Sequence, residues 1–336
     1  MLHALKIRTV ICLAVLALLL AGPTNASNAI VLPAPTIFAP GSISGPANDG
    51  TPAFSPDGRT LFLNHYGAAW GVMLESHRTA AGWSTPVVAP FSGPSFDVQP
   101  AFSPDGRALV YASKRALPGR LGKPSHYAFN LWRVVRTPSG WSAPARLPDA
   151  VNVSRNMHNP SLAANGDIYF TAPATIGPGE HPHWRLFEST YRHGRYDRAR
   201  PVAFAERELF DAEEPCVAAD ESYFLFASRG LRAPVGHKHF FIALREGKSW
   251  GRPVAIRYTG DGWPSAGDDD AEPQIGPDGE TLYFNSPRSL PIAANRSRAQ
   301  FLADAARLEA WDNGNSHVWT LPLRPLLDAL RRGEAG

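Results

Sequence analysis

One pattern returns five times along the 336-residue chain, and no other feature constrains its fold as strongly. The copies begin at Pro52 (PAFSPDGRTLFLNH), Pro100 (PAFSPDGRALVYAS), Pro160 (PSLAANGDIYFTA), Pro215 (PCVAADESYFLFAS) and Pro273 (PQIGPDGETLYFNS). A repeated supersecondary unit of this size cannot bury its apolar surface alone, so it must stack on copies of itself. In each copy a short strand runs into a Ser-Pro-Asp-Gly type turn, where Pro presets φ and Gly takes the positive-φ position. A nearly continuous apolar run follows: Thr60–Asn64, Ala108–Ala112, 167–171, Tyr223–Ala227 and 281–285. A strand that is apolar on both sides is buried on both faces.

Two further strands complete each unit. A third contains Val72-Met73-Leu74, Leu131-Trp132-Arg133-Val134, Arg185-Leu186-Phe187, Phe240–Ala243 and His317–Thr320, and ends near an aromatic turn such as Gly82-Trp83 or Gly140-Trp141. The fourth lies at Pro86–Val88, Ala145–Leu147, Pro201–Ala203 and Pro253–Ala255. Four strands in each of five units predict an all-β, five-bladed propeller of four-stranded blades. The fifth unit has no fourth strand of its own. Residues 35–39 match the stretch that precedes the other copies, so this N-terminal strand is expected to close the ring and remove its exposed edge.

The 29 Gly and 32 Pro agree with a turn-rich β protein. Two helical pieces interrupt the pattern. Ser297-Arg298-Ala299-Gln300 has the form of a capping box before a helix that stops at Asn313-Gly314, and residues 323–330 read as a terminal helix with Pro near its start. Packing against the barrel is the expected role of both. Residues 1–29 read as a secretory signal peptide: Lys6 and Arg8 precede an apolar run, Thr9 to Ala21, that is shorter than the ~20 residues a membrane span needs. Residues 30–323 then form the propeller and 324–336 the helix and tail. Cys216 is left as the only cysteine after the signal, so no internal disulfide is expected. The whole chain carries 33 Lys plus Arg against 30 acidic residues. Losing Lys6 and Arg8 makes it nearly neutral, which indicates no basic face for nucleic acid or anionic lipid.

The Pro-x-x-Ser-Pro-Asp-Gly-x-x-Leu-x-Phe pattern, joined to Gly-Trp-Ser-x-Pro at 82–86 and 140–144, resembles the Pro-Asp variant of WD-like repeats found in TolB-like β-propeller proteins. Blades one, two and five carry the motif closely; Ala163–Gly166 and Ala218–Glu221 depart from it in the turns. The resemblance implies a periplasmic or secreted binding platform in the cell envelope, monomeric, with a protein or oligosaccharide partner and no cofactor.

Ligand chemistry is expected on the face that holds the loops before each copy and those between second and third strands. Acidic residues cluster there: Asp49, Asp97, Glu213-Glu214 and Asp268–Asp270 with Glu272. His158, Arg229 and Arg288 share the face. Carboxylates around a channel mouth suit a cation, an amine or a sugar, and paired ones suit the acid–base work of glycosidases. For Asp49 and Asp97 the competing role is a scaffold one, bonding backbone amides of the adjacent blade. Glu213, Glu214, Asp270 and Glu272 are the catalytic candidates if the chain is instead a carbohydrate-active hydrolase or lyase, or an inactive relative of one. His181-Pro182-His183 and His237-Lys238-His239 occupy matching positions and offer an alternative metal site, against solvated or stacked histidines. Lys114-Arg115, Arg229 and Arg288 are expected to bridge blades, with binding of a substrate carboxylate as the alternative role. The chain holds no Gly-x-Ser-x-Gly motif, phosphate loop or dinucleotide fingerprint.

Overall fold

Each second strand sends alternate side chains to opposite neighbours, and five apolar clusters result, one per blade interface. Leu61 and Leu63 join Val318 of blade five, whereas Phe62 between them packs with Phe102, Leu109 and Tyr111 of blade two. Val110 and Ala112 meet Ile168 and Phe170 of blade three, Tyr169 meets Phe224 and Phe226 of blade four, and Leu225 and Ala227 meet Leu282 and Phe284 of blade five. Period-two alternation between two apolar surroundings is why these runs contain no polar face.

The computed structural model describes residues 30–50, 52–93, 95–116, 129–174, 183–205, 211–229, 238–260 and 269–334; the expected signal peptide lies outside them. The molecule is a five-bladed propeller of four-stranded antiparallel blades. Blade two is typical, with Asp97–Phe102, Ala108–Ser113, Asn130–Thr137 and Ala145–Arg146 paired in that order. In blade five, Ala271–Ile275, Thr281–Ser286 and His317–Pro322 are completed by Thr36–Ile37, in register with Thr320 and Trp319. The ring therefore closes through the N-terminal strand. Val31–Leu32 adds a second clasp by pairing in parallel with Arg257–Tyr258.

The Ser-Pro-Asp-Gly turns are self-contained. Ser103 Oγ donates to Asp105 Oδ1 at 2.6 Å and accepts the Ala108 N–H at 2.9 Å, while Gly106 takes φ 70°. Ser55, Asp57 and Gly58 repeat this in blade one. Recurrence of the motif reflects hairpin chemistry.

Helix α2 (Arg324–Arg331) buries Leu326, Leu327, Ala329 and Leu330 against the interface of blades four and five, as expected. Helix α1 (Arg298–Ala310) starts at the Ser297/Gln300 capping box, but the expectation that it packs on the barrel is corrected: none of its residues is buried, and Phe301 and Leu302 are each 53% exposed. Phe301 and Leu308 share one helical face, and that face is left open, Leu308 being 37% exposed. Among the described residues no helix is long and apolar enough to cross a membrane.

Candidate functional site

The three residues before each repeat Pro have separate tasks, because a bulge breaks the strand alternation there. Register shifts fall between Val110 and Ala112, His158 and Ser161, Glu213 and Cys216, and Ala271 and Gln274. Immediately before the Pro, Gln99, Asn159, Glu214 and Glu272 all adopt left-handed backbone, with φ between 48° and 60°. Bulges of this kind re-aim side chains at a sheet end.

Three positions before the Pro, the side chain is buried: Asp49, Asp97, Met157, Ala212 and Asp270. Asp97 and Asp270 clip their own blade. Asp97 accepts from Ser113 Oγ at 2.6 Å, Ser92 Oγ at 3.0 Å and Arg115 Nη2 at 3.0 Å. Asp270 repeats this with Arg288 Nη2, 2.8 Å from both carboxylate oxygens, and with the Tyr258 hydroxyl. Asp49 sits between His65 Nε2 at 2.9 Å and His317 Nδ1 at 3.0 Å, so it ties blade one to blade five. The scaffold role expected of Asp49 and Asp97 thus takes another form: their partners are chiefly side chains, with Gly45 N–H on Asp49 at 3.2 Å. The expected inter-blade salt bridging is also corrected for Arg115 and Arg288, whose carboxylate partners Asp97 and Asp270 belong to their own blades. Arg229 does bridge, placing Nη1 2.9 Å from Asp269 Oδ1. Among the described residues Lys114 makes no bridge; its Nζ lies 4.6 and 4.7 Å from the Phe96 and Phe129 ring centres.

Bonding to amides of the next blade falls to the left-handed residues. The Gln99 N–H donates to Asn64 Oδ1 at 2.9 Å and the Glu214 N–H to Thr171 Oγ1 at 2.8 Å, both acceptors lying on the preceding blade's second strand. At the equivalent position blades two and four carry Ala112 and Ala227, which have no acceptor. There the left-handed side chain of the same blade substitutes: Gln99 Oε1 accepts the Asn159 N–H at 3.1 Å, and Glu214 Oε2 accepts the Glu272 N–H at 2.8 Å. Glu214 is therefore a structural acceptor. Its other oxygen holds Lys238 Nζ at 2.6 Å, and Glu213 holds the same ammonium at 3.2 Å. Burial opposes the charge on Lys238, but Glu214 and Glu213 outweigh it and raise its pKa. Burial and then the Glu214 charge push the Glu213 carboxyl up, against Lys238 and Arg229.

At this end of the ring lies a cavity of about 510 Å³, walled by Asn48, Asn64, Gln99 and Asn285, by Tyr66, Phe96 and Phe129, and by His158, Asp269, Glu272 and Ser316. A second cavity of similar volume lies at the opposite end, between the Ser-Pro-Asp-Gly turns. Of the residues expected to form the ligand face, His158, Asp269 and Glu272 line the first cavity. Asp49, Asp97, Glu213, Glu214, Asp270, Arg229 and Arg288 do not. The carboxamides were not singled out from sequence; the signal was the Asn that ends two otherwise apolar runs, at 64 and 285. Of the metal candidates, His181 and His237 lie outside the described residues. His183 Nδ1 is 3.1 Å from Asp211 Oδ1, and His239 is buried at the start of its strand. Among the described residues no group of three or more His, Cys, Asp or Glu side chains is placed to hold a metal ion.

His158 stands in the cavity wall with Nδ1 3.1 Å from Gln99 Oε1 and Nε2 3.0 Å from Asn156 Oδ1. Gln99 has a fixed amide, since its Nε2 donates to Glu272 and its Oε1 accepts a backbone N–H. His158 must therefore donate through Nδ1, and the neutral ring accepts at Nε2 with the Asn156 amide turned so that its nitrogen donates there. Burial, helped by the Lys114 charge, lowers its pKa to about 4. A lowered His pKa means the unfolded chain takes up protons first, so stability falls as pH drops from about 6.5 towards 4. His158→Gln should remove up to about 3 kcal/mol of that pH dependence. Melting temperatures of both proteins from pH 7 to pH 4 check it; parallel curves would refute the neutral assignment.

No protein-family model matches the chain, and no curated protein matches it in sequence. Among solved structures it is similar to TolB from Acinetobacter baumannii, with 11% identity over 82% of this chain and a TM-score of 0.42. It spans only 54% of that TolB chain. It is similar also to the β-propeller domain of the Trilobed protease from Pyrococcus furiosus (14% identity, 71% of this chain and 63% of that one, TM-score 0.37). A third is the α-L-arabinofuranosidase from Lactobacillus brevis (9% identity, 85% and 92%, TM-score 0.48). No residue role is transferred from any of them.

Proposed function

We propose that the chain is an exported, TolB-like binding module of the cell envelope that takes its ligand or protein partner at the carboxamide-lined end of the channel. Residues 1–29 are its signal peptide, 30–323 the propeller and 324–336 the helix and tail. The observation that carries this reading is that three of the four carboxylates suited to catalysis are already committed: Asp270 to Arg288, Glu214 to Lys238 and a backbone N–H, and Glu272 to the Gln99 and Asn285 amides. A general acid has to surrender and regain its proton at the substrate. Carboxylates locked in buried ion pairs and amide bonds do neither.

The hydrolase or lyase alternative keeps one favourable observation, the raised pKa of Glu213 beside Glu214. The two readings separate in one assay. The protein is incubated with neutral and acidic oligosaccharides while new reducing ends or unsaturated products are followed. No turnover above buffer is expected. Product formation that Glu213→Gln abolishes would overturn the binding-module reading.

A further inference from the structure

Two carboxamides at matching positions in adjacent blades are each held by the scaffold through one end and open to the cavity at the other. Asn64 ends the apolar run of blade one and is 2% exposed; Asn285 ends that of blade five and is 4% exposed. Asn64 Oδ1 accepts the Gln99 N–H, and only an oxygen can do so, which leaves its Nδ2 as a donor without a partner among the described residues. Asn285 Nδ2 donates to Glu272 Oε2 at 3.1 Å, and only a nitrogen can do so, which leaves its Oδ1 as an acceptor without a partner among the described residues. Both residues line the same cavity. Gly50 packs so closely on the Asn64 amide that a Cβ there would stand 2.4 Å from Oδ1, so the amide cannot rotate freely.

We infer that this cavity binds a neutral saccharide, one or two rings in size, by setting the Asn64 donor and the Asn285 acceptor on adjacent hydroxyls. The inference rests on the binding-module reading and names its ligand. A hydroxyl both donates and accepts, so a vicinal diol satisfies one donor and one acceptor without leaving a charge unpaired. Of the rest of the lining, the Tyr66 and Ser316 hydroxyls and the Asn48 amide are neutral, Glu272 accepts from Gln99 Nε2 and Asn285 Nδ2, Asp269 pairs with Arg229, and Phe96 and Phe129 offer apolar surface to the C–H face of a sugar ring. Buried polar groups left unpaired are costly, which makes such a site reject ligands lacking the matching hydroxyls.

Isothermal titration of the purified protein with glucose, galactose, xylose and cellobiose, their deoxy analogues and an uncharged tripeptide tests this. Ligand at about 10 mM reveals dissociation constants near 1 mM. At least one saccharide is expected to bind. Asn64→Asp keeps the acceptor for Gln99 but removes the donor, and should weaken binding about tenfold, the worth of one well-placed hydrogen bond. Asn285→Ala should weaken it similarly. The matching deoxy sugar should bind weakly to the unaltered protein and be indifferent to Asn64→Asp, a response that loss of folding cannot mimic. If Asn64→Asp does not fold, Asn285→Ala and the deoxy series on the unaltered protein decide. Binding of the peptide alone, no saccharide binding, or affinity unchanged in both variants would overturn the inference. Capture of a protein partner without saccharide binding would do so too while leaving the binding-module reading intact, and turnover lost in Glu213→Gln would remove that reading itself.

Discussion

Deleting residues 30–40 is expected to abolish cooperative folding of the propeller. The segment supplies the fourth strand of blade five through Thr36–Ile37, the Phe38 N–H that bonds Val318 at 2.8 Å, and the second clasp at Val31–Leu32. Phe38 also packs edge-on to Phe54 and Tyr283, at the seam where blade one meets blade five. Losing a buried Leu side chain costs about 2–5 kcal/mol, and the deletion removes buried Leu32 and half-buried Phe38 while opening a strand edge. The sum rivals the ~5–15 kcal/mol that keeps an ordinary domain folded. Thermal unfolding followed by circular dichroism checks it: the deletion variant should show no cooperative transition, and an unchanged melting temperature would refute closure through this strand.

Asp270→Ala is expected to destabilise the protein by about 3–5 kcal/mol, the cost of leaving a buried cation without its partner. Arg288 is held there by both carboxylate oxygens and by the Tyr258 hydroxyl, and its guanidinium lies 5.2 to 5.6 Å from the ring centres of Tyr258, Phe284 and Trp319. It cannot move into water without dismantling that packing. Urea unfolding of Asp270→Ala with Asp270→Ala/Arg288→Met separates the terms. The double variant should recover a large part of the loss, because an apolar chain replaces the orphaned charge. A catalytic Asp270 would instead be nearly silent in unfolding.

The blades were legible in the sequence because burial on two faces leaves a long unmistakable run, as in Phe224-Leu225-Phe226, and because the Ser-Pro-Asp-Gly turn is local chemistry. Ring closure was legible for a related reason: a unit lacking its fourth strand demands one. The role of the acidic positions was less readable. Asp97 and Asp270 look like site residues until Arg115 and Arg288 arrive beside them from the far end of the second strand, and only the fold creates that meeting. The substitution of Gln99 and Glu214 for missing acceptors at Ala112 and Ala227 is a relation between blades, invisible in any single copy. Helix α1 was located correctly from its cap, but its exposed Phe301 and Leu302 followed the helical spacing of a packed helix.

The proposed binding site puts recognition at the carboxamide end of the ring and leaves hairpin chemistry at the other. An NMR titration with the saccharide that binds tests that division most directly. The side-chain amide signals of Asn64 and Asn285 and the backbone signals of Gln99 and Tyr66 should shift together and saturate, while those around Ser55–Gly58, Ser103–Gly106 and Gly276–Gly279 stay still. Shifts confined to the turns, at the cavity lined by Pro56, Pro104 and Pro277, would contradict it.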